Sequence, residues 1–199
     1  MKGIVGVLLA AGAARRFGAP KLLQPLHDGT PLVLAAARNL TAAVPCSIAV
    51  VRPGDAELAD ALGGLGLRVV ENPIADQGMG PSLAAGVRAV ADADGWLVAL
   101  GDMPWIRPAT IRMLAEALGD GASMVAPLHR GRRGHPVGFA SRWGGELCRL
   151  RGEAGARRLI SAHADELLSL PVADAGVLDD VDRPGDLARE CRARGFGSG

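Results

Sequence analysis

The stretch Leu8-Leu-Ala-Ala-Gly-Ala-Ala-Arg-Arg-Phe-Gly-Ala-Pro-Lys21 decides how this chain is read. It grows out of an apolar run, Ile4–Leu9, with the character of a buried strand, and breaks into small residues, then Arg15, Arg16, Gly18 and Lys21. Small residues let backbone N–H groups come close to a ligand, and cations at the far end of such a loop suit a polyphosphate. Of the 22 Lys and Arg residues only Lys2 and Lys21 are lysine, so a lysine closing this loop stands out from the composition around it. The stretch reads as a phosphate-binding loop.

Two well-known phosphate motifs do not fit. A P-loop needs four residues between its glycines and then Gly-Lys-Ser/Thr, whereas here five residues separate Gly12 from Gly18 and Lys21 is three positions further on. The dinucleotide pattern G-x-G-x-x-G fails because Ala13 and Ala14 follow Gly12. Neither an ordinary ATPase nor a nicotinamide-dependent dehydrogenase is favoured. Lys2, the apolar run and Ala-Gly-Ala also have elements of a secretory signal, but the apolar part is short and two arginines follow at once. Cys46, Cys148 and Cys191 are odd in number and scattered, which suits a reducing compartment better than a disulfide framework. The expected location is the cytoplasm.

Composition narrows the partners. The 199 residues suffice for one domain with a sizeable core and are short for two. A net charge of +1 gives no general attraction to nucleic acid or to a membrane surface. No apolar run approaches the roughly 20 residues that span a bilayer. Three Trp, three Phe and no Tyr make a base-stacking platform for single strands improbable. Binding is therefore expected at a local site, with no nucleic-acid or membrane partner.

Short Val/Ile/Leu-rich runs alternate with longer alanine-rich amphipathic stretches. Strands are expected at Ile4–Leu9, Ser47–Val51, Leu67–Glu71, Trp96–Leu100, Ser123–Pro127 and Val137–Ala140. Helices are expected at Pro31–Thr41, Ala56–Leu62, Ser82–Ala91, Pro108–Leu118, Gly155–His163 and Pro184–Arg194. Strands this hydrophobic are covered on both faces. The alternation predicts an α/β fold, a Rossmann-like three-layer sandwich with a mostly parallel sheet. One domain is expected over residues 1–192, followed by a disordered tail at 193–199. In such sheets ligands lie beyond the carboxyl ends of the strands.

Chemistry-bearing residues fall at those ends. Trp96-Leu-Val-Ala-Leu-Gly-Asp-Met-Pro104 is an apolar strand ending in Asp102, whose carboxylate could hold a magnesium ion bridging phosphates, or could simply cap a turn. Asp182, in Asp179-Asp-Val-Asp-Arg-Pro-Gly-Asp186, could cap a final helix, or reach the same metal if the chain folds back over that edge. In Asn72-Pro-Ile-Ala-Asp-Gln-Gly-Met-Gly-Pro-Ser-Leu83, glycines such as Gly80 permit close approach, and Asn72 and Ser82 offer hydrogen bonds to a base or ribose. Ser82 could equally be a helix N-cap. Arg130-Gly-Arg-Arg-Gly-His-Pro-Val-Gly-Phe139 combines cations with His135, so an anionic acceptor near Arg133 and His135 is plausible, as is a structural histidine.

Taken together in order and spacing, these pieces resemble the molybdenum cofactor nucleotidyltransferases, a MobA-like family. The landmarks are Leu9-Ala-Ala-Gly12 with Arg16, Gly18 and Lys21; Gly78-Met-Gly-Pro-Ser-Leu83; Gly101-Asp-Met-Pro104; Gly134-His-Pro-Val-Gly-Phe139; Gly152-Glu-Ala-Gly-Ala-Arg157; and Asp180-Val-Asp-Arg-Pro184. The resemblance implies a fold of the nucleotide-diphospho-sugar transferase type, with nucleotide in the N-terminal half and a pterin acceptor in the C-terminal half. It implies that Leu9, Ala10, Ala11 and Gly12, with Asn72, Gly80 and Ser82, meet the nucleotide. Arg16 and Lys21 would meet the triphosphate, Asp102 and Asp182 a Mg2+ ion, and Arg133, His135 and Arg157 the acceptor. In this family Leu-Ala-Ala-Gly accompanies cytidylyl transfer and Leu-Ala-Gly-Gly guanylyl transfer, so Ala11 points to CTP. The implied reaction joins CMP to the terminal phosphate of molybdenum-molybdopterin and releases pyrophosphate, with a recipient molybdoenzyme downstream. Phe17, Ala14, Glu153, Arg183 and Gly185 depart from the usual pattern without removing a residue assigned to phosphate or metal. Other readings are the same chemistry on another phosphorylated acceptor or with GTP, a glycosyltransferase of similar fold, and a non-catalytic cofactor carrier.

Overall fold

A computed structural model describes residues 3–12, 21–183 and 185–186. Arg16, Gly18 and nearly all of the expected helix Pro184–Arg194 and the tail at 193–199 lie outside the described residues. The chain alternates strand and helix as its hydrophobic pattern predicts. β1 (Ile4–Leu9) leads to α1 (Leu32–Ala43), β2 (Ser47–Val51), α2 (Ala56–Gly63), β3 (Arg68–Glu71), α3 (Met79–Ala89), β4 (Gly95–Leu100) and α4 (Pro108–Gly119). The second half holds β5 (Met124–His129), β6 (Arg132–Arg133), β7 (Val137–Ala140), α5 (Gly144–Cys148), α6 (Arg157–Ala162) and β8 (Leu167–Pro171).

All eight strands join one sheet in the order β3-β2-β1-β4-β7-β5-β6, with β8 beside β5. β1, β2, β3 and β4 run parallel, as do β5 and β8, while β7 is antiparallel to both β4 and β5. The expected mostly parallel sheet is present.

Both faces of the sheet are covered, and the period-2 alternation of the strands explains why. Val5, Val7 and Leu9 of β1, Ile48 and Val50 of β2, and Trp96 and Val98 of β4 meet Leu83 and Val87 of α3, Leu147 of α5 and Ile160 of α6. The intervening Leu8, Ala49, Val51, Leu97 and Ala99 face the other way, toward α1, α2 and α4. The α3 layer sits close: a Cβ at Gly86 would lie 2.6 Å from Val7 Cγ1.

Five elements depart from the sequence reading. β6, β8 and α5 were not expected; β8 is half exposed, at a position where the pattern Leu-Leu-Ser-Leu-Pro carries little periodic signal. α3 begins at Met79 with Gly78 as its N-cap, so Ser82 is not the cap but a buried residue of the helix's first turn. The late helix starts at Arg157 rather than Gly155, whose φ of +51° belongs to a left-handed turn.

Candidate functional site

The first loop leaves β1 between two strands that fix its backbone. The Ala10 N–H donates to the Val50 carbonyl at 2.8 Å, and the Gly101 N–H donates to the Leu9 carbonyl at 2.9 Å. Arg52, just beyond the end of β2, donates its Nε–H to the Ala11 carbonyl at 2.8 Å. The loop therefore departs from a rigid edge, the favourable arrangement for presenting backbone to a ligand.

Lys21 opens a short 3-10 turn, Lys21–Leu23, on the far side of this loop. Its ammonium lies 2.9 Å from Asp102 Oδ2 and 3.5 Å from Asp182 Oδ1. Asp102 stands two residues past β4, at the carboxyl edge of the sheet. Asp182 arrives from 80 residues further along the chain because the Val181 N–H donates to the Asp102 carbonyl at 3.0 Å. The chain does fold back over the active edge, and the two carboxylates face one cation. Among the described residues no group of three or more His, Cys, Asp or Glu is arranged to hold a metal ion. A pair of carboxylates is nevertheless the donor set that suits magnesium bound mainly through phosphate oxygens and water. Asp102 and Asp182, with the Lys21 ammonium against both, are the residues here that could hold such an ion.

A cavity of about 410 Å³ opens beside this pair, lined by Leu9, Ala11, Gly12, Lys21, Arg52, Asp76, Met79, Ser82, Asp102, Glu153 and Asp182 among others. Of the nucleotide candidates, Leu9, Ala11, Gly12 and Ser82 line it. Ala10, Asn72 and Gly80 do not line it. Ala10 packs into the core on the α1 side. Asn72 is buried and donates its Nδ2–H to Ser82 Oγ at 3.1 Å, while its Oδ1 accepts from the Ile74 N–H at 3.2 Å, so it positions Ser82 and the turn. Gly80 serves a close approach to protein: its N–H donates to the Gly152 carbonyl at 2.9 Å, and a Cβ there would lie 2.8 Å from the Arg151 carbonyl carbon. This contact brings Glu153 to the cavity. Arg52, Asp76 and Glu153 were missed as site candidates; Arg52 could have been found from its place at a strand's carboxyl end.

The acceptor candidates Arg133, His135 and Arg157 do not line this cavity. His135 precedes a cis proline, and its N–H donates to the Val177 carbonyl at 2.9 Å. Its Nδ1 is buried with no hydrogen-bond partner among the described residues. Burial pushes the imidazole below its ordinary value; Asp102 opposes this, and Arg133 and Arg157 add to it. The charges of Asp102, Arg133 and Arg157 all act on His135. Burial and the nearby Asp182 and Asp102 raise the Asp180 carboxyl.

A larger hollow of about 930 Å³ is lined by Asn39, Trp105, Arg107 and Asp174 among others, and holds none of the expected site residues. Asp174 there accepts from the Arg107 N–H at 2.9 Å, the Thr110 hydroxyl at 2.7 Å and the Gly176 N–H at 3.2 Å, anchoring the start of α4.

An α/β sheet whose carboxyl edge sets a small-residue loop and a lysine against two carboxylates is built to handle a polyphosphate, and the class it defines is nucleotidyl transfer. Residues 6–167 match the MobA-like NTP transferase domain, and the chain belongs to that family. The chain is similar to the purine catabolism protein PucB of Bacillus subtilis, 29% identical over 91% of this chain and 92% of the relative. It is also similar to the molybdenum cofactor guanylyltransferase of Rhodobacter capsulatus, 34% identical over 70% of this chain and 68% of the relative. Among solved structures, Rv0371c of Mycobacterium tuberculosis superposes with a TM-score of 0.83 at 30% identity, covering 96% of this chain and 99% of its own. The same mycobacterial protein has been solved in complex with manganese, with a TM-score of 0.77 at 29% identity, covering 94% and 97%. The expected fold and the MobA-like NTP transferase family are borne out. Among the described residues no helix is long and apolar enough to cross a membrane.

Proposed function

We propose that this protein transfers CMP from CTP to the terminal phosphate of molybdenum-molybdopterin, giving the cytosine dinucleotide and pyrophosphate. The observation that carries the reading is the convergence of Asp102 and Asp182 on the Lys21 ammonium beside the cavity that Leu9, Ala11 and Gly12 line.

In this reaction an oxygen of the acceptor phosphate attacks the α-phosphorus of the nucleotide, and the bond to the bridging oxygen breaks, releasing pyrophosphate. The acceptor needs little help from a general base. A phosphate monoester with a second pKa near 6 is about ten-to-one dianionic at pH 7. The obstacle is the approach of one anion to another in line with the leaving group. Lys21, together with Arg16 of the first loop, would hold the triphosphate and offset the charge that grows on pyrophosphate. Asp102 and Asp182 would hold a Mg2+ ion, which when bound screens that charge and fixes the phosphate oxygens. Arg133, His135 and Arg157 would receive the acceptor's phosphate, so that positioning supplies much of the acceleration.

The choice of CTP rests on Ala11. The resemblance ties Leu9-Ala-Ala-Gly12, with alanine at position 11, to cytidylyl transfer, and Ala11 is among the residues that line the cavity. A single domain spanning residues 1–192 carries the reaction in the cytoplasm, with a molybdoenzyme of the hydroxylase type as recipient of the product. A competing reading keeps the chemistry and changes the substrate, to GTP or to another phosphorylated small molecule; the relative named as a guanylyltransferase favours considering it. The test is incubation with Mg2+, molybdenum-molybdopterin and each of CTP, GTP, ATP and UTP, followed by the product's mass. The cytosine dinucleotide is expected. A guanine dinucleotide would overturn the reading of Ala11, and no dinucleotide with any base would overturn the acceptor.

A further inference from the structure

Lys21 has two partners that a phosphate-binding lysine does not need. Its ammonium bonds Asp102 at 2.9 Å and approaches Asp182 at 3.5 Å, and its side chain is only 12% exposed, against 27% and 59% for the two aspartates. The best-sheltered member of this trio is therefore the cation, seated between two anions that would otherwise repel each other across the site. An ammonium seated against both carboxylates disfavours a divalent ion on the same pair, because it already offsets their charge and two cations a few ångströms apart repel.

We propose that Lys21 is a built-in counter-ion that occupies the divalent-cation seat of the nucleotide-free protein and gives it up when a triphosphate draws the ammonium away. The inference rests on the proposed site for Mg2+ and adds an order to it. Metal alone must compete with Lys21 and binds weakly. A nucleoside triphosphate offers the ammonium a richer set of anionic oxygens, so metal and nucleotide enter together. Lys21 thereby keeps Asp102 and Asp182 aligned when no substrate is present, and protects the edge from binding free metal unproductively. Asp182, being the more exposed carboxylate, can turn toward water once the ammonium is removed, so the expected competition is moderate rather than large.

The experiment is a titration of the full-length protein with Mn2+ alone, followed by the electron paramagnetic resonance signal of free Mn2+, in wild type and in Lys21→Met and Lys21→Gln. Both variants are expected to bind Mn2+ on the order of tenfold more tightly than wild type, the size of effect a partly sheltered ion pair provides. Adding Asp102→Asn to Lys21→Met should abolish the gain. Circular dichroism of each variant establishes that it is folded, and Lys21→Gln serves should Lys21→Met fail to fold. Equal or weaker Mn2+ binding in the folded variants would overturn the competition. If wild type still made a dinucleotide in that case, only the counter-ion role would fall. If it did not, the reading of the whole edge as a nucleotidyltransferase site would fall with it.

Discussion

The Val181 N–H donates to the Asp102 carbonyl at 3.0 Å, and this backbone bond joins two segments that the sequence keeps 79 residues apart. It sets Asp182 beside Asp102 across the Lys21 ammonium. The late segment is steered there by bonds to the loops before it: the Gly134–His135 segment lies against Val177, and Asp174 holds the start of α4. The acidic edge is thus assembled from the first strand's loop, the fourth strand's end and the returning C-terminal segment.

Asp174 is the test of that steering. It is 3% exposed and accepts three hydrogen bonds, from Arg107, Thr110 and Gly176. Asp174→Ala leaves those donors without their acceptor and should cost about 3 kcal/mol or more of stability. A chemical denaturation midpoint checks this. Asp174→Asn keeps an acceptor oxygen and should lose less, and a variant as stable as wild type would show that the anchor is dispensable.

Gly80 and Gly12 separate a packing role from a ligand role. A Cβ on Gly80 would lie 2.8 Å from backbone of Arg151, whereas a Cβ on Gly12 would meet nothing within 4 Å among the described residues. Gly80→Ala should therefore destabilise by about 1–3 kcal/mol. Gly12→Ala should leave the melting temperature near wild type and raise the KM for nucleotide about tenfold, a methyl intruding where backbone meets ligand. The reverse pattern in thermal melts and nucleotide titrations would contradict both assignments.

The opening strand and the place of Asp102 were legible because each is written locally: an apolar run that breaks into Gly and Ala, and a carboxylate placed at a strand's end. The parallel half of the sheet followed from the same alternation. The pairing of β7 antiparallel to both β4 and β5 was not legible, because Val137–Ala140 has the same apolar character whichever way it runs. Arg133 and His135 share one short stretch and could be grouped from it, whereas Arg157 joined them only by resemblance, because no local spacing links it to that stretch. Gly80 was read as a ligand glycine when its space is taken by backbone at Arg151, a contact between segments 71 residues apart.

The His135 imidazole carries a pH dependence whose sign is fixed by its burial. Burial holds it below its ordinary 6.5, with Asp102 opposing and Arg133 and Arg157 assisting. The unfolded chain takes up this proton first, so His135's contribution to stability is full above 6.5 and declines as pH falls below it toward the folded value. Denaturation midpoints measured at about pH 7.5 and about pH 5.5 should fall more for wild type than for His135→Gln, which has no such proton to bind. Equal falls in the two proteins would show that His135 does not contribute.

Asp182 carries the central claim, since its role depends wholly on the fold-back that places it at the Lys21 ammonium. The most direct measurement is acceptor-dependent pyrophosphate release by wild type and Asp182→Asn at saturating CTP and Mg2+, with the melting temperature of each. The account predicts a loss of roughly 10²–10³-fold in turnover, the scale of removing one electrostatic contact to a charge-building transition state, with the melting temperature little changed. Wild-type turnover in the folded variant would contradict it.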